Sequence, residues 1–229
     1  MSTSSRFLLT GAVAATPLFL VFWAVQAFSR DGFRPTYHPM SLLSLGDWGW
    51  VQVIAFVLVG LLLIGGGIGL SRALGEGRLS RWIGSLVVLM GVGLVVSGVF
   101  ATDAGAGFPE GAPAGAPEMS WHGAVHEVGF LLTQIAFIAA GILLAVSFAR
   151  DRRRGWAAGC IIAVMLAVLV AGLGDPENLA IRLVLSSSIE LGLVSVVAAN
   201  ALRERGPASD RASAARLDYA EPHGSTSRT

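Results

Sequence analysis

Lysine is absent from this chain, and all sixteen basic residues are arginine. Cysteine occurs once and tyrosine twice, and charged residues make up only 14% of the sequence. The lone Cys160 lies inside a long apolar run, which excludes both a disulfide framework and a cysteine metal site and leaves a buried structural thiol. The few charges fall in short clusters between apolar runs, a distribution that a soluble globular domain does not have. A formal net charge of +1 argues against a nucleic-acid partner. What remains is a chain that is 54% hydrophobic with a mean hydropathy of +0.68. Its arginine-only basicity and Ala/Gly/Val bias point to a high-GC bacterial genome.

The apolar runs predict an all-α, polytopic membrane protein with six transmembrane helices, at about 7–28, 49–70, 82–100, 121–148, 156–173 and 176–202. A polar tail at 203–229 has too few large apolar residues to pack and is expected to be disordered. The first run suits a retained helix better than a cleaved signal, although Val25-Gln26-Ala27 has the form of a cleavage site. Pro17 is placed to kink it. Asp47 and Ser120 are expected N-caps for the second and fourth helices, and Asp175-Pro176-Glu177 is a strong start for the sixth. Trp48 and Trp50 suit the aromatic belt of a membrane surface.

Arginines near the span ends are concentrated on one side: Arg6, the group Arg72, Arg78 and Arg81, and the cluster Arg150, Arg152, Arg153 and Arg154. The positive-inside rule then puts both termini in the cytoplasm of a bacterial cell, with the chain in the plasma membrane and the connection after Asp103 outside. A hairpin repeat is also legible. Ala55-Phe56 with Gly60 and Leu62-Leu63 parallels Ala136-Phe137 with Gly141 and Leu143-Leu144, which makes Asp103 and Asp175 positional counterparts.

Reactive residue types gather between Thr102 and His126. His122 and His126 are four apart, so on a helix both imidazoles face one side. Gly123 stands where the H-E-x-x-H motif needs its glutamate, so this is not that motif. The pair supplies half of a tetrahedral zinc site, for which Asp103 is the best third ligand and Glu127 a neighbouring proton carrier. The plainer reading is that the histidines hydrogen-bond loop carbonyls and one another. The Pro/Gly-rich connection exceeds the usual length, as a lid or a spacer does, and Phe108, alone among small residues, is placed to dip into the membrane or plug the mouth.

On the sixth helix Asn178, Arg182, Ser186 and Glu190 recur every four residues and form one polar stripe. At ~1.5 Å per residue Glu190 lies about 20 Å along that helix, deep in hydrocarbon. An ionisable group there faces the bundle interior or a hydrated cavity. Together with Asp103 these residues are the expected ligand-binding set, and Glu190 and Glu127 are the expected proton-transfer groups. A protonated Glu190 that serves only helix packing is the alternative. His122, His126, Thr133 and Gln134 form a facing line on the fourth helix.

Ser41-Leu42-Leu43-Ser44-Leu45-Gly46 leading to Gly49-Trp50-Val51-Gln52, then Thr102-Asp103, then Gly107-Phe108-Pro109-Glu110-Gly111-Ala112-Pro113, then His122-Gly123 with His126, resembles the prokaryotic membrane family called domain of unknown function 998. The likeness runs from the first span to the sixth and implies a six-helix bundle with a retained first helix. It implies no activity. A more distant likeness, confined to the H-x-x-x-H pair and polar residues near a membrane face, is to the alkaline ceramidase and adiponectin-receptor superfamily of seven-helix zinc-dependent lipid hydrolases.

The expected function is therefore binding of a membrane lipid or small amphiphile in an outward-facing polar cavity, or service as a membrane subunit, with no cofactor. The alternatives are a zinc-dependent lipid hydrolase, an acid-catalysed lipid isomerase or cyclase using Glu190, and a small proton-coupled transporter. Nothing in the sequence decides the oligomeric state.

Overall fold

A computed structural model describes residues 1–204, so the expected tail from 205 onward lies outside the described residues. Six helices are long and apolar enough to cross a membrane: α1 (Thr3–Ser29), α2 (Gly49–Ala73), α3 (Arg78–Val99), α4 (Trp121–Arg150), α5 (Arg154–Gly172) and α6 (Leu179–Glu204). No strand is present among the described residues. Most helices run a few residues past the expected spans. An apolar run stops at the first arginine, whereas the helical backbone continues into the interface while the side chain reaches water. Thus α3 starts at Arg78 rather than Trp82. In the same way α6 takes in Arg203 and Glu204, which had been assigned to the tail.

Two of the expected caps form. Ser120 Oγ accepts the Gly123 N–H at 3.1 Å to start α4. Asp175 Oδ1 accepts the Glu177 N–H at 2.9 Å, opening a 3-10 turn at Pro176–Asn178 that leads into α6. Asp47 does not cap α2. The helix instead follows a turn in which the Gly49 N–H reaches the Gly46 carbonyl, with Gly46 at a φ of 72°. Gly49 lies so tightly on the Ser44 carbonyl that no Cβ fits there, and this leaves Trp48 as a cap without a side-chain bond. The residues of the expected hairpin repeat take similar places: Ala55, Phe56, Ala136 and Phe137 are all buried. Asp103 and Asp175 each accept a backbone N–H near the start of the following helix.

Each helix packs on the next, and α6 returns to α1, so the six close into a ring. The tightest joint is α2 against α3. In lipid no hydrophobic effect pulls helices together, so close backbone approach does that work. A Cβ on Gly60 would lie 2.7 Å from the Gly91 carbonyl oxygen, and one on Gly84 would lie 2.6 Å from that of Gly67. The pairs Gly60/Gly91 and Gly67/Gly84 are therefore two backbone contacts one heptad apart. α5 differs in that little of it is buried and nothing stands near Gly155 or Gly159.

Polar side chains inside the bundle are paired across helices. Ser195 donates to the Ala12 carbonyl at 2.8 Å and meets Thr16 at 2.8 Å, joining α6 to α1. Gln26 donates to Gln52 at 2.7 Å, joining α1 to α2. At the arginine-rich end Arg153 bonds Glu204 at 2.8 Å and stacks on Phe148 and Trp156, which fastens α4, α5 and α6. Trp48, Trp50 and Trp121 are exposed at one end of the bundle and Trp82 at the other, as interfacial belts require.

If backbone contact holds α2 to α3, Gly67→Val or Gly91→Val lowers stability by about 2–3 kcal/mol through overpacking. Gly159→Ala, in open space, is neutral or slightly stabilising. Unfolding midpoints in one detergent, compared across the three variants, check this; equal midpoints would show that the contact is not limiting.

Candidate functional site

The α3–α4 joint is built around Asp103. Its Oδ2 accepts the Ser120 N–H at 2.8 Å, and the carboxylate lies directly against Gly123, where a Cβ would overlap it. Gly123 therefore admits a carboxylate to the positive end of α4. The Ser120 hydroxyl, then its N–H, and to a smaller degree His122 and His126 hold the Asp103 carboxyl below its ordinary range.

Both histidines face carbonyls. His122 Nδ1 donates to the Ala101 oxygen at 2.9 Å and lies 3.8 Å from Asp103 Oδ1. His126 Nδ1 lies 2.8 Å from the Ser97 oxygen and 2.9 Å from that of Phe100, and Ser97 Oγ donates back to the His126 carbonyl at 3.0 Å. His126 thus satisfies carbonyls that the end of α3 leaves without helical partners. Asp103 and His122 are neighbours, as a shared metal would need. Yet among the described residues no group of three or more His, Cys, Asp or Glu side chains is placed to hold a metal ion. Each imidazole has its Nδ1 on a carbonyl, and Asp103 has one oxygen on the Ser120 N–H.

Below this joint lies a cavity of about 540 Å³, within the size range of small-molecule sites. Thr102, Asp103, Gly105, Ala106 and residues 114–117 border its mouth, together with Tyr37 and residues 39–42. Phe19, Phe56, Leu94, Phe130 and Leu183 form much of its wall, and Gln134 and Glu190 stand at its inner end. His126 and Glu127 also line it, whereas His122 does not. Glu190 is 3% exposed. Its Oε1 accepts from Gln134 Nε2 at 2.9 Å and lies 3.0 Å from Ser186 Oγ, which is also 3.0 Å from the Ala167 carbonyl.

A second cavity, about 270 Å³, lies between α4, α5 and α6 on the other side of the same pair. Gln134 and Glu190 line both cavities. The smaller one reaches Val168, which is about half exposed on the outward face of α5.

The structure thus brings Ser186 and Glu190 of the expected stripe together with Gln134. It does not bring Asn178 or Arg182 to either cavity. Arg182 instead donates to the carbonyls of Ala171 at 3.4 Å and Asp175 at 3.0 Å, tying α6 to the end of α5. Arginine has five donors for carbonyls left over at a helix end, so the stripe divides into a structural half and a cavity half.

The connection after Asp103 is ordered as a cover. Ala106 N–H bonds the Gly115 carbonyl and Gly107 N–H that of Pro113, both at 2.8 Å. Phe108 lies neither in the cavity lining nor on the surface. It packs on Phe33 and His38 with the Arg30 guanidinium 5.5 Å from its ring centre. Arg30 in turn donates to the carbonyls of Leu43 and Leu45 at 3.2 and 2.6 Å. His38 joins the two connections: its Nδ1 accepts the Arg34 N–H at 2.9 Å and its Nε2 lies 3.1 Å from the Ala106 carbonyl. Sequence reasoning missed this latch, since nothing in the spacing of Arg30, His38 and Phe108 shows that two connections meet. It also missed the Gln26–Gln52 pair, for which two glutamines inside apolar spans were a readable signal.

The family described as "Protein of unknown function (DUF998)" matches residues 13–207. No curated protein and no solved structure matches the chain.

His38 can accept from Arg34 only while neutral. Burial first, and the nearby Arg34 as well, push its pKa below the ordinary histidine value against a smaller opposing effect of the Ala106 carbonyl. The unfolded chain therefore binds more protons between the folded pKa and about 6.5, so the latch's contribution is complete above about pH 6.5 and is lost as pH falls below it. Melting temperature should decline from pH 7.5 to 5.5 in the wild type, and His38→Gln should remove that part of the decline. A His38→Gln profile parallel to wild type would rule the latch out as its source.

Proposed function

Starting from a chain that belongs to the DUF998 family of proteins of unknown function, and that crosses the membrane several times, we propose that this protein binds a lipid or small amphiphile between its helices. The observation that carries the reading is the cavity of about 540 Å³, with apolar and aromatic walls, a carboxyl at its inner end and an ordered cover over its mouth. An amphiphile needs that combination: wall area to bury its chain, and a few placed polar groups to orient its head. Packing alone has no use for a void of this size, because unfilled space forfeits dispersion contacts. The arginine distribution supports a mouth on the extracytoplasmic side of a bacterial plasma membrane, with both termini inside. The ligand would be taken from that leaflet or from the space above it.

Glu190 also supports a catalytic form of this reading, since a carboxylic acid beside an enclosed apolar ligand is placed to donate a proton in an isomerisation or cyclisation. The two forms differ in whether a product accumulates.

The test is native mass spectrometry of protein released from nanodiscs made with native lipid. Wild type should carry a bound adduct at about one per chain. Leu183→Trp, which puts an indole into the cavity, should lose it, and Ile135→Trp, on the lipid-facing surface, should keep it. An adduct that persists in Leu183→Trp would place any bound lipid elsewhere.

A further inference from the structure

We propose that the cavity selects a cationic amphiphile, a long-chain amine or quaternary ammonium, whose positive head replaces a proton at Glu190. This rests on the cavity-binding reading above and adds the sign of the ligand.

The lining is one-signed. Asp103, Glu127 and Glu190 border the cavity, and no arginine does so among the described residues, in a chain with sixteen. The nearest candidates are engaged elsewhere. Arg34 stacks on Tyr37, 4.8 Å from the ring centre, Arg30 is held by the Leu43 and Leu45 carbonyls, and Arg182 by those of Ala171 and Asp175. A phosphate or fatty-acid head would therefore meet carboxyls without a countercharge, which desolvation makes costly. A cation meets the opposite, and Phe19, Phe56 and Phe130 in the lining are residues of the kind that add cation–π attraction.

Proton accounting gives the exchange. Ser186 has one hydroxyl proton but stands 3.0 Å from both the Ala167 oxygen and Glu190 Oε1. If it donates to Ala167, the second contact is a hydrogen bond only when the Glu190 carboxyl supplies a proton. With Glu190 protonated the contacts close as a chain from carboxyl to hydroxyl to carbonyl, and with Glu190 ionised Ser186 donates to Oε1 instead of to Ala167. When the ligand enters, the Glu190 O–H bond breaks, the proton passes to water at the mouth, and the carboxylate pairs with the ammonium; charge balances at one proton released per cation bound. The other titratable groups facing the cavity are His126 and Glu127 from α4, Asp103 from the α3–α4 connection and Tyr37 from the α1–α2 connection. Residues of α1, α2, α3 and α5 bring none.

Three probes with one tail separate the head groups: dodecyltrimethylammonium, dodecanol and dodecanoate, titrated into protein in zwitterionic nanodiscs with a pH indicator in weak buffer. The expected order is ammonium over alcohol by about tenfold, the scale of one charge-assisted contact, and dodecanoate weakest. The ammonium should release about one proton per chain. Glu190→Gln should lose that release and about tenfold in ammonium affinity while keeping the wild-type helical circular dichroism and elution profile, which shows that the protein is still folded. Dodecanol or dodecanoate binding as tightly as the ammonium, or equal proton release from wild type and Glu190→Gln, overturns the proposal and leaves the cavity reading standing. If none of the three probes binds and native-lipid protein carries no adduct, the cavity reading fails as well.

Discussion

Hydrocarbon offers no hydrogen bonds, so each polar group inside this bundle must find its partner within the protein, and much of the arrangement follows from that constraint. Ser97 and His126 satisfy one another's main chains where α3 ends and α4 begins. Thr133 donates toward the carbonyls of Met90 and Gly129, and Ser195 toward that of Ala12. Apart from the Thr133–Gly129 contact within α4, these bonds cross between helices and tie neighbours together. The cavity stands out because there the same constraint is met at one atom: Gln134 and Ser186 both converge on Glu190 Oε1, and among the described residues no cation joins them.

The bundle combines stiff and loose parts. α2 and α3 touch backbone to backbone at two glycine pairs, and Gly93 and Gly129 repeat the arrangement between α3 and α4. That half forms a frame. α5 has little buried surface; Arg153 and Arg182 hold its ends, while Val164 against Gly141 and the Ala167 carbonyl against Ser186 hold its middle. The cover over the cavity belongs to neither part, being held by a small aromatic cluster of Phe33, His38 and Phe108 beneath Arg30. Such separation suits a site whose walls must stay in place while its openings give way.

Much of the fold was legible in the sequence, because span length and apolar composition are local properties. All six helices fall on the apolar runs. Helix ends were less legible where arginine carries a helix beyond its apolar run, and at α2, where a glycine turn rather than Asp47 starts the helix. At the site, the four-residue period correctly put Ser186 and Glu190 on one face, but it could not show that Arg182 turns to the end of α5. The H-x-x-x-H spacing showed two imidazoles on one side of α4 and was silent about the carbonyls opposite them. The latch of Arg30, His38 and Phe108 depends on two connections folding over each other, a pairing with no periodicity to reveal it.

On the binding function proposed above, the smaller cavity beside Val168 changes the scale on which that binding is to be expressed. A site that borders the acyl region equilibrates with ligand already dissolved in the bilayer, so occupancy follows the ligand's mole fraction among lipids rather than its concentration in water. A weak site can then be full, because partitioning has already gathered the apolar tail. The same protein would also show different apparent dissociation constants at different lipid-to-protein ratios with no change in a single contact.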